Sequence, residues 1–224
     1  QFSIEGPFSC RDKDTDRYLS MTFPDQVPVT LFWEAGSFCQ VNIGQNFNLV
    51  NLVVDFCEPI SSDRILDLYC GMGNFALPLS RKSAQVHGIE SQGAAIRSGR
   101  YNSEYNQLSN ITFEKSDVTA ACRALVESNE LFDTVVCDPP RQGMPGMAPY
   151  LSRLCRKRVV YISCDPATLC RDLAALQQEG FTDVAIAGGD GTLSAAIGAL
   201  RDLPVQFGII PVGSGNGLAR AARI

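Results

Sequence analysis

The sequence predicts an α/β protein built on a doubly wound, mostly parallel sheet. Short apolar stretches alternate with helical stretches through the middle of the chain, which is the order that parallel strands with crossover helices require. The strands are also apolar throughout, so helices are expected to cover both faces of the sheet. At 224 residues the chain is long enough for one domain of this kind, with additional material at either end.

The elements can be placed in order along the chain. Residues 1–36 are irregular apart from the strand "PVTLFW" and are interpreted as the remnant of an N-terminal β region. The run "QNFNLVNLVVDFC" has the apolar spacing of a helix. Strands are then predicted at "RILDLYCG", "QVHGIE", "NITFEKSD", "FDTVVCDPP" and "RVVYISCD", with helices over residues 75–81, 91–107, 118–128, 146–156 and 166–179.

Composition limits the functions that are expected. The net charge of −5 argues against a broad basic face, so any contact with nucleic acid is expected to be local. No apolar run reaches the length of a membrane span and no leader is evident, which predicts a cytoplasmic protein. Nine cysteines without a C-x-x-C pair favour reduced thiols, and a single histidine makes a histidine-based metal site implausible.

The stretch "DLYCGMGNF" is the first candidate site. Asp67 lies at the end of a predicted strand, and Gly71 and Gly73 permit a tight turn and close approach of a ligand to the backbone. Glu90 ends the next strand, 23 residues after Asp67, where a carboxylate can accept both hydroxyl groups of a ribose. This order predicts a nucleoside cofactor; the alternative is a simple strand-to-helix turn.

Two further candidates follow later strands. Asp138 begins "DPPR", where Pro139 and Pro140 stiffen the turn at the sheet edge that binds ligands in this fold class. Cys164 ends a strand just before Pro166 opens a helix, and the helix dipole there lowers a thiol pKa and favours the reactive thiolate. The alternatives are an ordinary proline-terminated strand and a buried, inert cysteine.

Together these motifs resemble a known family. "SFCQVN", "ILDLYCGMGNFALPLS", "GIE", "SD", "DPPRQG" and "YISCDPATLCRDLAAL" are similar, in order and spacing, to S-adenosylmethionine-dependent RNA (uracil-C5)-methyltransferases over residues 30–180. The resemblance implies a Rossmann-like methyltransferase domain over residues 37–181 that acts on uracil in RNA. It implies Cys164 as nucleophile and Asp138 at the junction of cofactor and uracil. The S-adenosylmethionine ligands it implies are Gln40, Asp67, Tyr69, Gly71, Gly73, Glu90, Asp117 and Asp138.

The sequence departs from the family at several points. Cys39 stands where the family commonly has an aromatic residue, and Asp165 where it commonly has asparagine. The usual N-terminal RNA-binding barrel is not evident. Family members also carry a C-terminal His-x-Glu element whose glutamate resembles the base that removes the C5 proton, and the residues after Glu179 contain no such element. Turnover is therefore expected to be impaired.

Residues 182–224 resemble something else. "GGDGTLSAAIGAL" and "GIIPVGSGNGLAR" are similar to the nucleotide-binding core of diacylglycerol and sphingosine kinases, so the alternative function is that of an ATP-dependent lipid or NAD kinase fragment. Half of such a cleft is not expected to catalyse phosphoryl transfer. A third alternative is a fragment that binds neither ligand. The nucleotide-binding residues that the kinase likeness implies are Gly188, Gly189, Asp190, Gly191, Thr192, Gly213 and Asn216.

Overall fold

The computed structural model describes residues 18–23, 28–34, 37–40, 42–163, 165–188, 198 and 206–211. Its elements alternate between strand and helix from residue 64 to residue 188, as the sequence predicts. The strands are β1 (Tyr18–Phe23), β2 (Val29–Glu34), β3 (Arg64–Leu68), β4 (Gln85–Glu90), β5 (Ile111–Lys115), β6 (Phe132–Cys137), β7 (Cys155–Tyr161), β8 (Asp183–Gly188) and β9 (Gln206–Pro211). The helices are α1 (Ile43–Cys57), α2 (Ala76–Ser80), α3 (Gly93–Tyr105), α4 (Val118–Glu127), α5 (Ala148–Leu154) and α6 (Pro166–Gln178).

A five-stranded parallel sheet confirms the predicted fold class. Its strand order is β5-β4-β3-β6-β7, and every neighbouring pair is parallel. The order turns back between β3 and β6, so the carboxyl ends of these strands form the edge at which open α/β sheets bind ligands. β1 and β2 form a separate antiparallel hairpin, and the sequence reasoning missed β1.

One aromatic side chain explains three of the glycines. Phe113 on β5 is 7% exposed, and its ring lies against Gly73, Gly88 and Gly99. A Cβ atom at Gly88 would lie 3.1 Å from the Phe113 ring, and one at Gly99 would lie 2.9 Å from it. The second contact is shorter than real Cβ contacts and the first is tighter than most of them, so glycine at these positions allows the ring to pack between the sheet and α3.

The chain divides into two compact units. The first comprises residues 1–138 and 154–161 and contains the five-stranded sheet. The second comprises residues 139–153 and 162–224, and in it the Met144 amide donates to the buried Asp172 carboxylate at 2.8 Å. These limits differ from the predicted domains 1–36, 37–181 and 182–224, which stay a prediction.

The predicted tail strands are present as β8 and β9. They pair with each other in parallel, with Asp183 opposite Gln206 and Gly188 opposite Pro211. Most of the proposed kinase-like residues lie outside the described residues, namely Gly189, Asp190, Gly191, Thr192, Gly213 and Asn216. Only Gly188, the last residue of β8, is described.

Candidate functional site

The loop that follows β3 has an unusual backbone. Tyr69, Gly71 and Gly73 all have positive φ angles, of 61°, 55° and 94°. The Cys70 amide donates to the carbonyl of Ile89 on β4 at 3.1 Å, and the Gly73 amide donates to the Cys70 carbonyl at 2.9 Å. The loop therefore turns sharply at the carboxyl edge of the sheet and leads directly into α2.

The two glycines of this loop serve different purposes. A Cβ atom at Gly73 would lie 2.0 Å from the Leu77 side chain and 3.0 Å from the Phe113 ring, so this glycine is required by packing. A Cβ atom at Gly71 would meet no atom of the described residues within 4 Å. Gly71 therefore borders open space, and a ligand could approach the backbone closely there.

Glu90 holds the loop from the neighbouring strand. It is the last residue of β4 and is 9% exposed. One of its carboxylate oxygens accepts from the Gly71 amide at 3.3 Å, and the other accepts from the Gln92 amide at 2.8 Å and from the Ser91 hydroxyl at 3.0 Å. Glu90 is thus fixed in place beside the open face of Gly71.

Asp67 is a buried carboxylic acid without a hydrogen-bond partner. It lies on β3, is fully buried, and neither carboxylate oxygen has a partner among the described residues. Burial raises its pKa well above the ordinary value, and the nearby Asp138 raises it further. The Ala76 amide lowers this pKa to a smaller extent, without meeting the geometry of a hydrogen bond. An orphaned buried acid at a ligand edge is the electrostatic arrangement expected of a functional site.

Asp138 directly follows β6, the strand that pairs with β3. Its amide donates to the Leu68 carbonyl at 3.4 Å, which extends the pairing of the two strands. Burial raises the pKa of the Asp138 carboxyl to about 6. Two acids with raised pKa values, Asp67 and Asp138, therefore lie near the ends of neighbouring strands.

The remaining predicted ligands are less completely placed. Asp117 is the N-cap of α4 and accepts from the Ala120 amide at 2.9 Å, a role that the sequence reasoning missed. The preceding Ser116 amide donates to the Glu90 carbonyl at 3.1 Å, so Asp117 begins near the same sheet edge. Gln40 is half-buried in the segment before α1. Cys164 lies outside the described residues, three positions after β7 ends.

A pair of asparagines that the sequence reasoning missed also supports the loop. The Asn46 amide on α1 donates to the Asn74 side-chain oxygen at 2.8 Å, and Asn74 donates back to Asn46 at 3.0 Å. Asn46 is 2% exposed. The sequence signal that could have revealed this pair is the amide side chain of Asn46 on an otherwise apolar helix face. A buried polar group of this kind needs a hydrogen-bond partner.

The described part of the chain contains neither a metal-binding cluster nor a membrane-spanning helix. It contains no cluster of three or more histidine, cysteine, aspartate or glutamate residues arranged to hold a metal ion. Among the same residues, no helix combines the length and the apolar character that crossing a bilayer requires.

Comparison with known proteins decides the family. The family model described as tRNA (Uracil-5-)-methyltransferase matches residues 30–185, which is most of the chain and includes the loop, Glu90 and Asp138. The chain belongs to this family. The resemblance noted from the sequence motifs is therefore confirmed over that range.

Relatives and solved structures agree with this assignment. The 23S rRNA (uracil(1939)-C(5))-methyltransferase RlmD of Klebsiella pneumoniae (strain 342) is 41% identical over 151 residues, covering 67% of this chain and 35% of the relative. The crystal structure of Pyrococcus abyssi tRNA (uracil-54, C5)-methyltransferase in complex with S-adenosyl-L-homocysteine is 32% identical, with a TM-score of 0.58 over 72% of this chain and 38% of that chain. This chain thus spans about a third of the length of the curated relatives it matches.

A more distant structure supports the fold alone. The precorrin 8W decarboxylase of Methanobacterium thermoautotrophicum is 19% identical, with a TM-score of 0.54 over 71% of this chain and 81% of that chain. The comparisons give no support to the kinase-like interpretation of residues 182–224, and the family match ends at residue 185.

Proposed function

We propose that this chain uses S-adenosylmethionine to methylate uracil C5 in RNA, with ribosomal or transfer RNA as the substrate. Family membership over residues 30–185 is the observation that carries the proposal. The acidic, glycine-containing edge of the sheet supports it, because the same residues that carry the sequence motif also form the ordered loop.

The residues present fit S-adenosylmethionine. The open face of Gly71 lets a ligand approach the backbone, and the fixed carboxylate of Glu90 beside it suits the hydroxyl groups of a ribose. A positive charge beside Asp67 and the neighbouring Asp138 would lower their raised pKa values and favour their ionised forms, so the two acids suit the positive charges of this cofactor. When bound, the cofactor supplies an electrophilic methyl group on its sulfonium.

The chemistry of uracil explains why a thiol is needed. C5 of uracil is a poor nucleophile until another nucleophile adds at C6. In the proposed mechanism the Cys164 thiolate forms a bond to C6, and the electron pair shifts to C5, which takes the methyl group. A base then removes the C5 proton, and the electrons left behind expel the thiolate and restore the ring.

Asp138 is the described acid proposed for the junction of cofactor and uracil. With a pKa of about 6, its carboxyl exchanges protons near neutral pH, as a general acid or base does. The residues after Glu179 lack the His-x-Glu element, and their acids are Asp183, Asp190 and Asp202. We propose that residues 1–224 on their own remove the C5 proton slowly, so that the covalent protein–RNA adduct accumulates.

The test uses this chain, S-adenosylmethionine with a labelled methyl group, and a uracil-containing rRNA or tRNA fragment. The wild type is expected to give a labelled, denaturant-stable protein–RNA adduct, and Cys164→Ala none. Cys170→Ala is the matched control, because it removes another thiol six residues away and should leave the adduct intact. Equal labelling of RNA by wild type and Cys164→Ala would overturn the covalent mechanism.

A further inference from the structure

Two asparagine side chains, that of Asn102 on α3 and that of Asn106, the C-cap residue of α3, act as a strand partner for β2. The Asn106 side chain accepts from the Thr30 amide at 2.9 Å and donates to the Thr30 carbonyl at 2.7 Å. The Asn102 side chain accepts from the Phe32 amide at 2.8 Å and donates to the Phe32 carbonyl at 3.0 Å. The spacings match, because four helical residues rise about 6 Å and two strand residues rise about 6.8 Å.

These contacts cover the edge of β2 that β1 does not. Glu34, at the end of β2, adds an ion pair with Arg97 on α3 at 2.9 Å. Arg97 and Asn102 on α3 and the C-cap Asn106 therefore hold the β1–β2 hairpin against this helix. The backbone amides and carbonyls of Thr30 and Phe32 are therefore not available for pairing with another chain.

Asn102 differs from Asn106 in one respect. It is fully buried, and its amide also donates to the Met72 carbonyl at 3.0 Å. Met72 lies in the loop after β3, between Gly71 and Gly73, the two residues with positive φ. Three of the four hydrogen-bonding positions of the Asn102 amide are thus filled, one by the loop and two by the hairpin.

We propose that Asn102 is a positioning residue that links the β1–β2 hairpin to the cofactor loop. Residues 71–73 are Met72 flanked by two glycines. Their backbone therefore has several accessible conformations when nothing restrains the Met72 carbonyl. The Asn102 amide restrains it, and the hairpin backbone in turn fixes the Asn102 amide. The hairpin therefore keeps the loop in the form that exposes Gly71 to a ligand. The consequence for binding rests on the proposed function, whereas the restraint on the loop does not.

Asn106 supplies the matched control. Asn106→Ala removes two bonds to the hairpin but no bond to the loop, since its remaining donation is to the Asn102 carbonyl at 2.8 Å. Asn102→Ala removes two bonds to the hairpin and the bond to Met72. The difference between the variants isolates the effect on the loop.

Hydrogen exchange measured by mass spectrometry tests the restraint without any ligand. In Asn102→Ala, exchange in the peptide covering residues 69–75 is expected to be at least about fivefold faster than in Asn106→Ala, since one buried hydrogen bond is lost. Asn102→Asp, which keeps the shape and the acceptor for the Phe32 amide, is used if the alanine variant does not fold. Equal exchange of this peptide in the Asn102 and Asn106 variants would overturn the proposal.

Binding of S-adenosylhomocysteine then tests the consequence. The Kd is expected to rise about fivefold to tenfold in Asn102→Ala and less than about twofold in Asn106→Ala. A wild type that does not bind S-adenosylhomocysteine refutes the proposed function, while the exchange measurement still decides the role of Asn102. A wild type that binds, with equal Kd values in both variants, refutes the positioning role alone.

Discussion

Replacing Asp138 with asparagine is expected to stabilise the protein at alkaline pH while abolishing methyl transfer. Burial raises the Asp138 pKa from 3.8 to about 6, so ionising this group in the folded protein is unfavourable. A shift of about two pKa units corresponds to about 3 kcal/mol between the two protonation states. The site therefore carries a stability cost at the pH where its charge is useful.

The sign of the pH dependence follows from the direction of the shift. Because the folded-state pKa is raised, the contribution of protonated Asp138 to stability is complete below about pH 4 and is lost as the pH rises through about 6. Asp138→Asn lacks this loss. Its free energy of unfolding is expected to exceed that of the wild type by about 1–3 kcal/mol at pH 8, and by less than about 0.5 kcal/mol at pH 4.

Urea unfolding at pH 4, 6 and 8, followed by circular dichroism, measures this difference. Asp117→Asn is the control, because Asp117 is exposed and asparagine caps a helix about as well as aspartate. The control is expected to stay within about 0.5 kcal/mol of the wild type at every pH. An Asp138→Asn variant that is less stable than the wild type at pH 8 would refute the burial argument.

Two further predictions test the loop and the thiol. Gly73→Ala is expected to lower the free energy of unfolding by about 2–4 kcal/mol, because its Cβ would overlap Leu77 and alanine is also strained at a φ of 94°. Gly71→Ala should cost only about 1 kcal/mol, for its positive φ alone. Thermal and urea unfolding compare the two variants, and equal losses would contradict the packing argument. Asp165→Asn is expected to lower the pKa of Cys164, because it removes a negative charge from the adjacent residue. The rate of Cys164 alkylation by iodoacetamide should then rise at a lower pH than in the wild type. An unchanged pH profile of this rate would show that the charge of Asp165 does not affect the thiol.

The sequence was sufficient to predict the sheet because its strands carry an unambiguous apolar pattern. The predicted helix over residues 166–179 is observed as Pro166–Gln178, with Asp165 as its cap, because a proline and a capping acid mark its start. The strand Tyr18–Phe23 was missed although Leu19, Met21 and Phe23 alternate with polar residues, because "YLSMTF" lies within a stretch rich in proline and aspartate that was interpreted as irregular.

The sequence predicted only those parts of the candidate site that are marked by residues close together in the chain. Asp67, Gly71 and Glu90 follow from strand ends and glycine spacing, and the structure places all three at the carboxyl ends of the neighbouring strands β3 and β4. The supporting asparagines could not be predicted in the same way. Asn102 contacts residues 70 and 30 positions away in the chain, and such pairings depend on how α3 meets the hairpin.

The proposed function depends on binding of an adenosine-type methyl donor by the loop after β3, and calorimetric titration can measure this binding. S-adenosylhomocysteine and ATP are titrated separately into the wild type and Gly71→Arg, whose side chain would fill the open space at Gly71. We expect S-adenosylhomocysteine to bind the wild type and Gly71→Arg to abolish this binding. ATP is expected to bind neither protein. Binding of ATP with no binding of S-adenosylhomocysteine, or equal binding of S-adenosylhomocysteine by both proteins, would contradict it.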